Sequence, residues 1–236
     1  MKKAASKTRV PPGFNLEKAR RAQRALALKV EFEGVKPWQV QLVGGVDLSY
    51  PSAETARGAA VVLRFGNLSL VEARTAEVKV RFPYIPTLLS FREAPAIYKV
   101  LSSLKHKPDV LLVDGQGVAH PYGCGLASHI GVTANIPTIG VAKKLLCGKV
   151  ASFEGDHASI IFDGKVVGAA LSVNPRVKPI YVSVGHRVSL EDALEIVRRT
   201  VKVGRIPEPL RLAHLLATKG TLNLKRKASG LEGVKI

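Results

Sequence analysis

Apolar positions recur along the chain with two periods, and the switches between them lay out its elements. Asn15 caps a predicted helix over Leu16–Lys29, rich in Ala, Lys, Arg and Gln, with a nearly all-basic polar face. Beyond Pro37, Val40–Ser49 is an apolar strand. Gly58–Phe65 and Leu68–Val80 are strand-like and flank Gly66-Asn67, a turn signal for an antiparallel pair. Pro83-Tyr84-Ile85-Pro86 is stiff and extended, because each proline fixes its own φ and restricts the residue before it. A helix runs from Ser90 to about Lys105, with Ile97, Val100, Leu101 and Leu104 as its apolar stripe. Asp109–Asp114 is a short, nearly all-apolar strand of the kind buried on both faces. The Gly-rich stretch Gly115–Gly125 leads into a helix ending near Asn135, and Thr138–Ala142 is a second buried strand. Ile160–Phe162 and Lys165–Ala170 flank the hairpin signal Asp163-Gly164. Ser189-Leu190-Glu191-Asp192 is a capping box opening a helix to about Lys202, and Pro207–Lys219 is the last helix.

An antiparallel meander followed by alternating helix and strand predicts an α/β chain with a mixed central β-sheet flanked by helices. The order suits a ribonuclease-H-like fold, although periodicity alone leaves several α/β folds open. At 236 residues one substantial core is expected: a basic disordered arm over 1–13, a single catalytic domain over 14–222 and a basic tail over 223–236.

Charge adds a partner to this picture. Thirty-six Lys and Arg against eighteen Asp and Glu leave a formal +18. Such a surplus favours a polyanion, since cations on a phosphate backbone release condensed counterions; the plainer alternative is a merely soluble or ribosome-adjacent basic protein. The two cysteines, Cys124 and Cys147, have no metal-ligand spacing and support no disulfide scaffold, which fits a reducing, cytoplasmic setting. No apolar run approaches the roughly 18 residues of a spanning helix, so no membrane partner is expected. Nothing demands a second chain, and a monomer is expected.

Three acids stand out by context. Asp47 lies inside the apolar run Val43–Tyr50, Asp114 closes Val110–Asp114, and Glu93 falls in the predicted first turn of the helix after Pro86. An unpaired carboxylate in a β core costs several kcal/mol, so it must be paired, hydrogen-bonded or bound to a cation. Carboxylates that hold Mg²⁺ provide a reason, because the ion polarises a phosphoryl group and activates water. The alternative is two strand-end acids capping backbone groups and one Glu favoured by a helix dipole.

Four blocks then resemble one family. Gly45-Val46-Asp47-Leu48-Ser49-Tyr50, Pro83 through Glu93, Asp114 through Pro121, and Pro137 through Leu145 are similar, in order and spacing, to endonuclease V, over about residues 15–220. The resemblance implies a ribonuclease-H-like fold and a Mg²⁺-dependent nuclease, with Mn²⁺ as a substitute ion. It also implies DNA containing deoxyinosine as substrate, with inosine in RNA for some members, and cleavage of the second phosphodiester 3′ to the lesion. On this resemblance Asp47, Glu93 and Asp114 bind the metal, and Lys143 offsets charge on the attacked phosphate or leaving oxygen. His214 positions water or ligates a second metal. Tyr84, held by Pro83, Ile85 and Pro86, is the wedge that fills the gap left by the extruded base. Arg92 and Lys144 are DNA contacts. Hypoxanthine carries O6 and a protonated N1, so a pocket with a backbone N–H and a carbonyl would select it. Gly115 and Gly117 allow such close backbone approach, with Leu89, His120 and Gly140 beside them; the alternative for the glycines is a simple turn after a strand. The Gly185-His186-Arg187 segment is structural or contacts substrate. Two positions depart from the family pattern: Tyr122 stands where a basic residue is common, and Thr87 where glycine is common.

Three rivals remain at this level: an inosine-specific ribonuclease, a non-catalytic nucleic-acid-binding protein of the same fold, and a structure-specific ribonuclease-H-like nuclease. The second would gain nothing from acids facing phosphates, and the third would not need the Pro-Tyr-Ile-Pro segment.

Overall fold

The computed structural model describes residues 13–222; the expectations for the N-terminal arm, Gly13 apart, and for the C-terminal tail lie outside them. Three strands, β1 (Leu42–Ser52), β2 (Thr55–Arg64) and β3 (Leu70–Lys79), form the predicted antiparallel meander. β4 (Val110–Asp114) and β5 (Thr138–Ala142) then run parallel to β1. The far half of the sheet holds β6 (Lys149–Val150), β7 (His157–Phe162), β8 (Lys165–Leu171) and β9 (Ile180–His186), giving the order β3-β2-β1-β4-β5-β9-β8-β7-β6. This is the predicted mixed sheet, and its helix-flanked architecture is ribonuclease-H-like.

Five helices are described: α1 (Leu16–Ala27), α2 (Leu89–Leu101), α3 (Leu126–Ala134), α4 (Leu190–Thr200) and α5 (Glu208–Lys219). Alternation along the strands builds two cores. Val43, Ala59, Val61 and Leu112 face α4 and α5, whereas Val46, Ala60, Leu111 and Val113 face α2 and α3. β4 is therefore buried on both faces, as its unbroken apolar run requires.

Glycines set how closely the helices approach. A Cβ on Gly45 would lie 2.4 Å from the carbonyl carbon of Pro209 in α5, and one on Gly58 would lie 2.6 Å from the Ala96 carbonyl oxygen in α2. Both contacts are with backbone, so neither helix can rest at its present depth over a larger residue.

Local rules account for most boundaries. The Asn15 carboxamide accepts the Lys18 amide, and the Ser189 hydroxyl accepts the Asp192 amide, so both caps form as predicted. Asp163 and Gly164 have φ of 49° and 73°, the positive pair that a primed two-residue hairpin demands. The turn at Gly66-Asn67 is wider than its dipeptide suggests. The strands part after Arg64 and resume at Leu70, because the Phe65 amide bonds the Gln41 carbonyl and Leu68, at φ 55°, carries the reversal. Two strands were not foreseen: β6, only two residues long, and β9.

α2 ends at Leu101, short of Lys105, for an identifiable reason. Buried Glu72 on β3 accepts the backbone amides of Lys105 (3.0 Å) and His106 (2.9 Å), taking donors that a longer helix would use. The same carboxylate meets His106 Nδ1 at 3.0 Å and Arg74 at 2.8 Å. Burial alone would push this acid up, but the His106 and Lys105 amides, the His106 ring and Arg74 together hold it below its ordinary value of 4.5.

Two outcomes follow. Gly45→Ala should lower the thermal midpoint by about 5 °C, from an overpacking cost of about 1–3 kcal/mol; an unchanged midpoint would contradict the depth of α5. Because the folded state holds the Glu72 carboxyl low, its contribution is present above the unfolded value and disappears as pH falls through the folded one. Glu72→Gln should thus cost about 2 kcal/mol in urea unfolding at neutral pH, with the two proteins converging in acid. An equal difference at every pH would rule out the ionised carboxylate as the source.

Candidate active site

Strand register brings the first two acids together. Val46 pairs with Val113 across the parallel β1–β4 ladder, so Asp47 and Asp114, one residue on, stand side by side toward the α5 face. They lie at the carboxyl end of β4, where open α/β sheets place their ligands. Neither is consumed by capping the backbone: Asp47 takes one amide, that of Leu48, at 2.7 Å, and Asp114 takes the Lys143 ammonium at 2.5 Å.

α5 supplies the third group. Its close seat on Gly45 brings His214 over β1, where Nδ1 lies 2.7 Å from Asp47 Oδ2. One ligand atom from each of Asp47, Asp114 and His214 falls within 4.8 Å of the others. Lys143, just past the end of β5, closes the arrangement through its ion pair with Asp114.

Glu93 sits differently from its expected place. It is the fifth residue of α2, beyond the first turn, and the helix dipole does not account for it. α2 packs on the opposite face of the sheet from α5, so Glu93 reaches the acids from the other side and is not part of the compact trio. It is still close enough to feel them. Burial first, then the charges of Asp47 and Asp114, push its carboxyl up to about 7 against the opposing hydrogen bond from Tyr50. Burial and Asp114 likewise raise Asp47, against the pull of His214 and the Leu48 amide. The acids therefore resist sharing full negative charge, and a divalent cation is the partner this donor set fits.

The Pro83–Pro86 segment before α2 has an anchored base and an exposed tip. Ile85 is buried, and its carbonyl accepts the Leu88 amide at 3.0 Å. Tyr84 beside it is 56% exposed, so it is not a core tyrosine. Pro83 borders an open groove of about 600 Å³ that Phe14, Phe82 and Phe91 also line. Arg92 braces this region, donating to the Phe82 carbonyl at 2.6 Å with its guanidinium 5.1 Å from the Tyr50 ring centre. Pro86 and Leu89 are exposed.

The glycines after β4 serve the protein's own packing. A Cβ on Gly117 would lie 2.0 Å from the Val184 oxygen, and one on Gly140 would lie 2.4 Å from the Gly117 nitrogen. The 115–117 backbone thus lies directly on β5 and β9, with the Gly115 amide on the Val141 carbonyl. His120 is buried and accepts the Tyr122 amide on Nδ1 at 3.2 Å, which leaves its proton on Nε2. Burial, then Arg20, lowers its pKa to about 4, so the ring is neutral. Lys144 is exposed, and its carbonyl accepts the Gln116 side chain at 3.0 Å. His186 is buried and accepts the Glu31 amide at 3.2 Å, a structural contact.

Residues that the sequence did not single out also touch the site. Tyr50 donates to Glu93 at 3.4 Å, and Arg20 and Gln23 of α1 bind the Thr87 backbone. Tyr50 lies within the Gly45–Tyr50 block, whereas nothing in a basic amphipathic helix marks Arg20 or Gln23.

A ribonuclease-H-like sheet with acids side by side on neighbouring parallel strands defines a nuclease-type site, and comparison with known proteins narrows it. The endonuclease V profile matches residues 24–215. An endonuclease V of Thermofilum pendens is 49% identical over 211 residues, 89% of this chain and 90% of that protein. The crystal structure of endonuclease V from Streptomyces avermitilis superposes with a TM-score of 0.82 at 38% identity, covering 91% of this chain and 97% of that one. A Ciona intestinalis endonuclease V, solved with a 24mer DNA containing an inosine followed by a ribo-adenosine, gives 0.80 at 34% identity, covering 87% and 97%. The chain belongs to the endonuclease V family and is a nuclease.

Mg²⁺ at a hundredfold excess over its Kd should stabilise the protein by about 2.7 kcal/mol, read as a rise in thermal midpoint. Asp114→Asn should lose that rise. An identical response from both proteins would place the ion elsewhere.

Proposed function

We propose that this chain is a Mg²⁺-dependent DNA repair endonuclease that recognises deoxyinosine and hydrolyses the second phosphodiester on its 3′ side. The observation that carries the reading is the Asp47–Asp114 pair, set side by side by the β1–β4 register, in a chain that also presents an exposed tyrosine on a proline-braced segment. The Ciona relative crystallised on inosine-containing DNA supports the lesion. The ribo-adenosine in that DNA favours a second reading, in which inosine in RNA is also cut.

Asp47 and Asp114 would hold the cation, with Glu93 approaching from the α2 side. The ion, when bound, supplies Lewis acidity at the phosphoryl group and an acidified water. The chain's own groups do the rest. The Asp47 carboxylate accepts a hydrogen bond from His214 Nδ1, which orients the ring so that its Nε2 can position water. The Lys143 ammonium, held at Asp114, offsets negative charge gathering on phosphate or leaving oxygen. Tyr84 replaces the stacking lost when the base leaves the duplex, a step that is cheapest at a damaged base. The backbone around Gly115 and Gly117, with Leu89, His120 and Gly140, reads the extruded base, and Lys144 meets the phosphate chain. Acting as a monomer on DNA requires no second copy.

The test uses matched duplexes with and without one deoxyinosine, in Mg²⁺ or EDTA, with the nick mapped. Cleavage should occur only with the ion and the lesion, at the second bond. Asp47→Ala should cut at least about a hundredfold more slowly, beyond the loss typical of an outer-shell partner, while still binding DNA. Tyr84→Ala should reduce the inosine preference about tenfold, the worth of one stacked base. Undiminished cleavage by Asp47→Ala would refute the site, and an unchanged preference ratio would remove the wedge.

A further inference from the structure

The stiff segment is followed directly by a residue whose conformation is not freely chosen. Thr87 has φ 68°, in the left-handed region that β-branched residues adopt only under constraint. The constraint comes from α1. One terminal nitrogen of Arg20 donates to the Thr87 hydroxyl at 2.6 Å and the Pro86 carbonyl at 3.3 Å; the other donates to the Thr87 carbonyl at 3.3 Å and to Gln23 Oε1 at 2.9 Å. Its guanidinium also sits 4.0 Å from the centre of the Tyr122 ring. Gln23, fully buried, completes the hold by donating to the Thr87 carbonyl at 2.8 Å and the Cys124 carbonyl at 2.9 Å. The two departures from the family pattern therefore meet at one side chain. Glycine at 87 would need no such hold, and a cation at 122 would repel the guanidinium that now stacks there.

We infer that Arg20 is a positioning residue for lesion recognition: by clamping Thr87 and stacking on Tyr122, it fixes the Pro83–Pro86 segment against the loop that follows Asp114. The inference rests on the inosine-recognition reading above. Without the clamp, Thr87 relaxes toward extended backbone and the segment samples other directions. The apparent affinity then falls in proportion to the competent fraction, while the metal site and its chemistry are untouched. A plainer role for a basic side chain on this helix is a phosphate contact, and the two roles separate experimentally. A lysine keeps the charge but has neither the fork nor the stacking plane.

The measurement is steady-state nicking of a deoxyinosine duplex by Arg20→Met, Arg20→Lys, Thr87→Gly and the double variant Arg20→Met/Thr87→Gly. Arg20→Met should raise KM about tenfold, with kcat within about twofold of the parent, from the cost of an unclamped left-handed residue. Arg20→Lys should be as impaired as Arg20→Met. Glycine at 87 adopts positive φ freely, so the double variant should return to within about threefold of Thr87→Gly alone. Full activity in Arg20→Lys, or an Arg20→Met penalty undiminished by glycine, would overturn the clamp. Thermal unfolding of the same four proteins gives a readout independent of the substrate. Non-additive midpoints support the Arg20–Thr87 coupling even if the parent shows no inosine preference, an outcome that would instead refute the proposed function. Additive midpoints would overturn the clamp whatever the activity.

Discussion

Asp47 and Asp114 stand side by side on adjacent parallel strands in a partly buried site, and the negative charge concentrated there is the constraint around which the rest of the molecule is arranged. The β1–β4 register makes Asp47 and Asp114 neighbours. Burial and then the Asp114 charge raise Asp47, and burial together with the charges of Asp47 and Asp114 pushes Glu93 up to about 7. Lys143 and His214 relieve part of the charge, one from the end of β5 and the other from α5. The sheet supplies the geometry; the acids supply a demand for positive charge that a bound ion would meet. Glu72 shows the contrast. It is the more deeply buried acid, yet two backbone amides, an imidazole and a guanidinium satisfy it fully, and it serves only to end α2 and tie it to β3.

Precision at the centre is inherited from close packing farther out. Gly45 lets α5 sit low enough on β1 for His214 to reach Asp47, and Gly58 does the same for α2 and Glu93 on the other face. Gly117 and Gly140 press the loop after Asp114 onto β5 and β9. At each of these four glycines an added Cβ would meet backbone, which cannot swing away as a side chain tip can. The segment carrying Tyr84 is tied down differently, by buried Ile85 below and by α1 behind. The acid cluster and the Tyr84 segment are thus positioned by separate parts of the fold.

The fold was legible where periodicity and caps agreed. β5 matches its predicted limits, the two caps form, and the Asp163-Gly164 hairpin follows from its dipeptide. β9 has no strong start signal, because a proline precedes its apolar run, and α2 stops short of its periodic stripe because Glu72, thirty-odd residues upstream, captures the amides that follow it. In the site, Asp47 and Asp114 stood out as acids in apolar strands, but their adjacency depends on a register that no local pattern states. His214 was one histidine on a helix until α5 was placed. Arg20 and Gln23 carry no local signal at all, since their contacts are with residues 64 to 102 positions away.

Whether Asp47 and Asp114 share one divalent ion is the claim on which everything else rests. Diffraction from crystals soaked in Mn²⁺, recorded at the metal edge, addresses it directly. A single anomalous peak bridging carboxylate oxygens of Asp47 and Asp114 is the predicted result. Ordered Mn²⁺ bound elsewhere, with those two side chains unliganded, would contradict it.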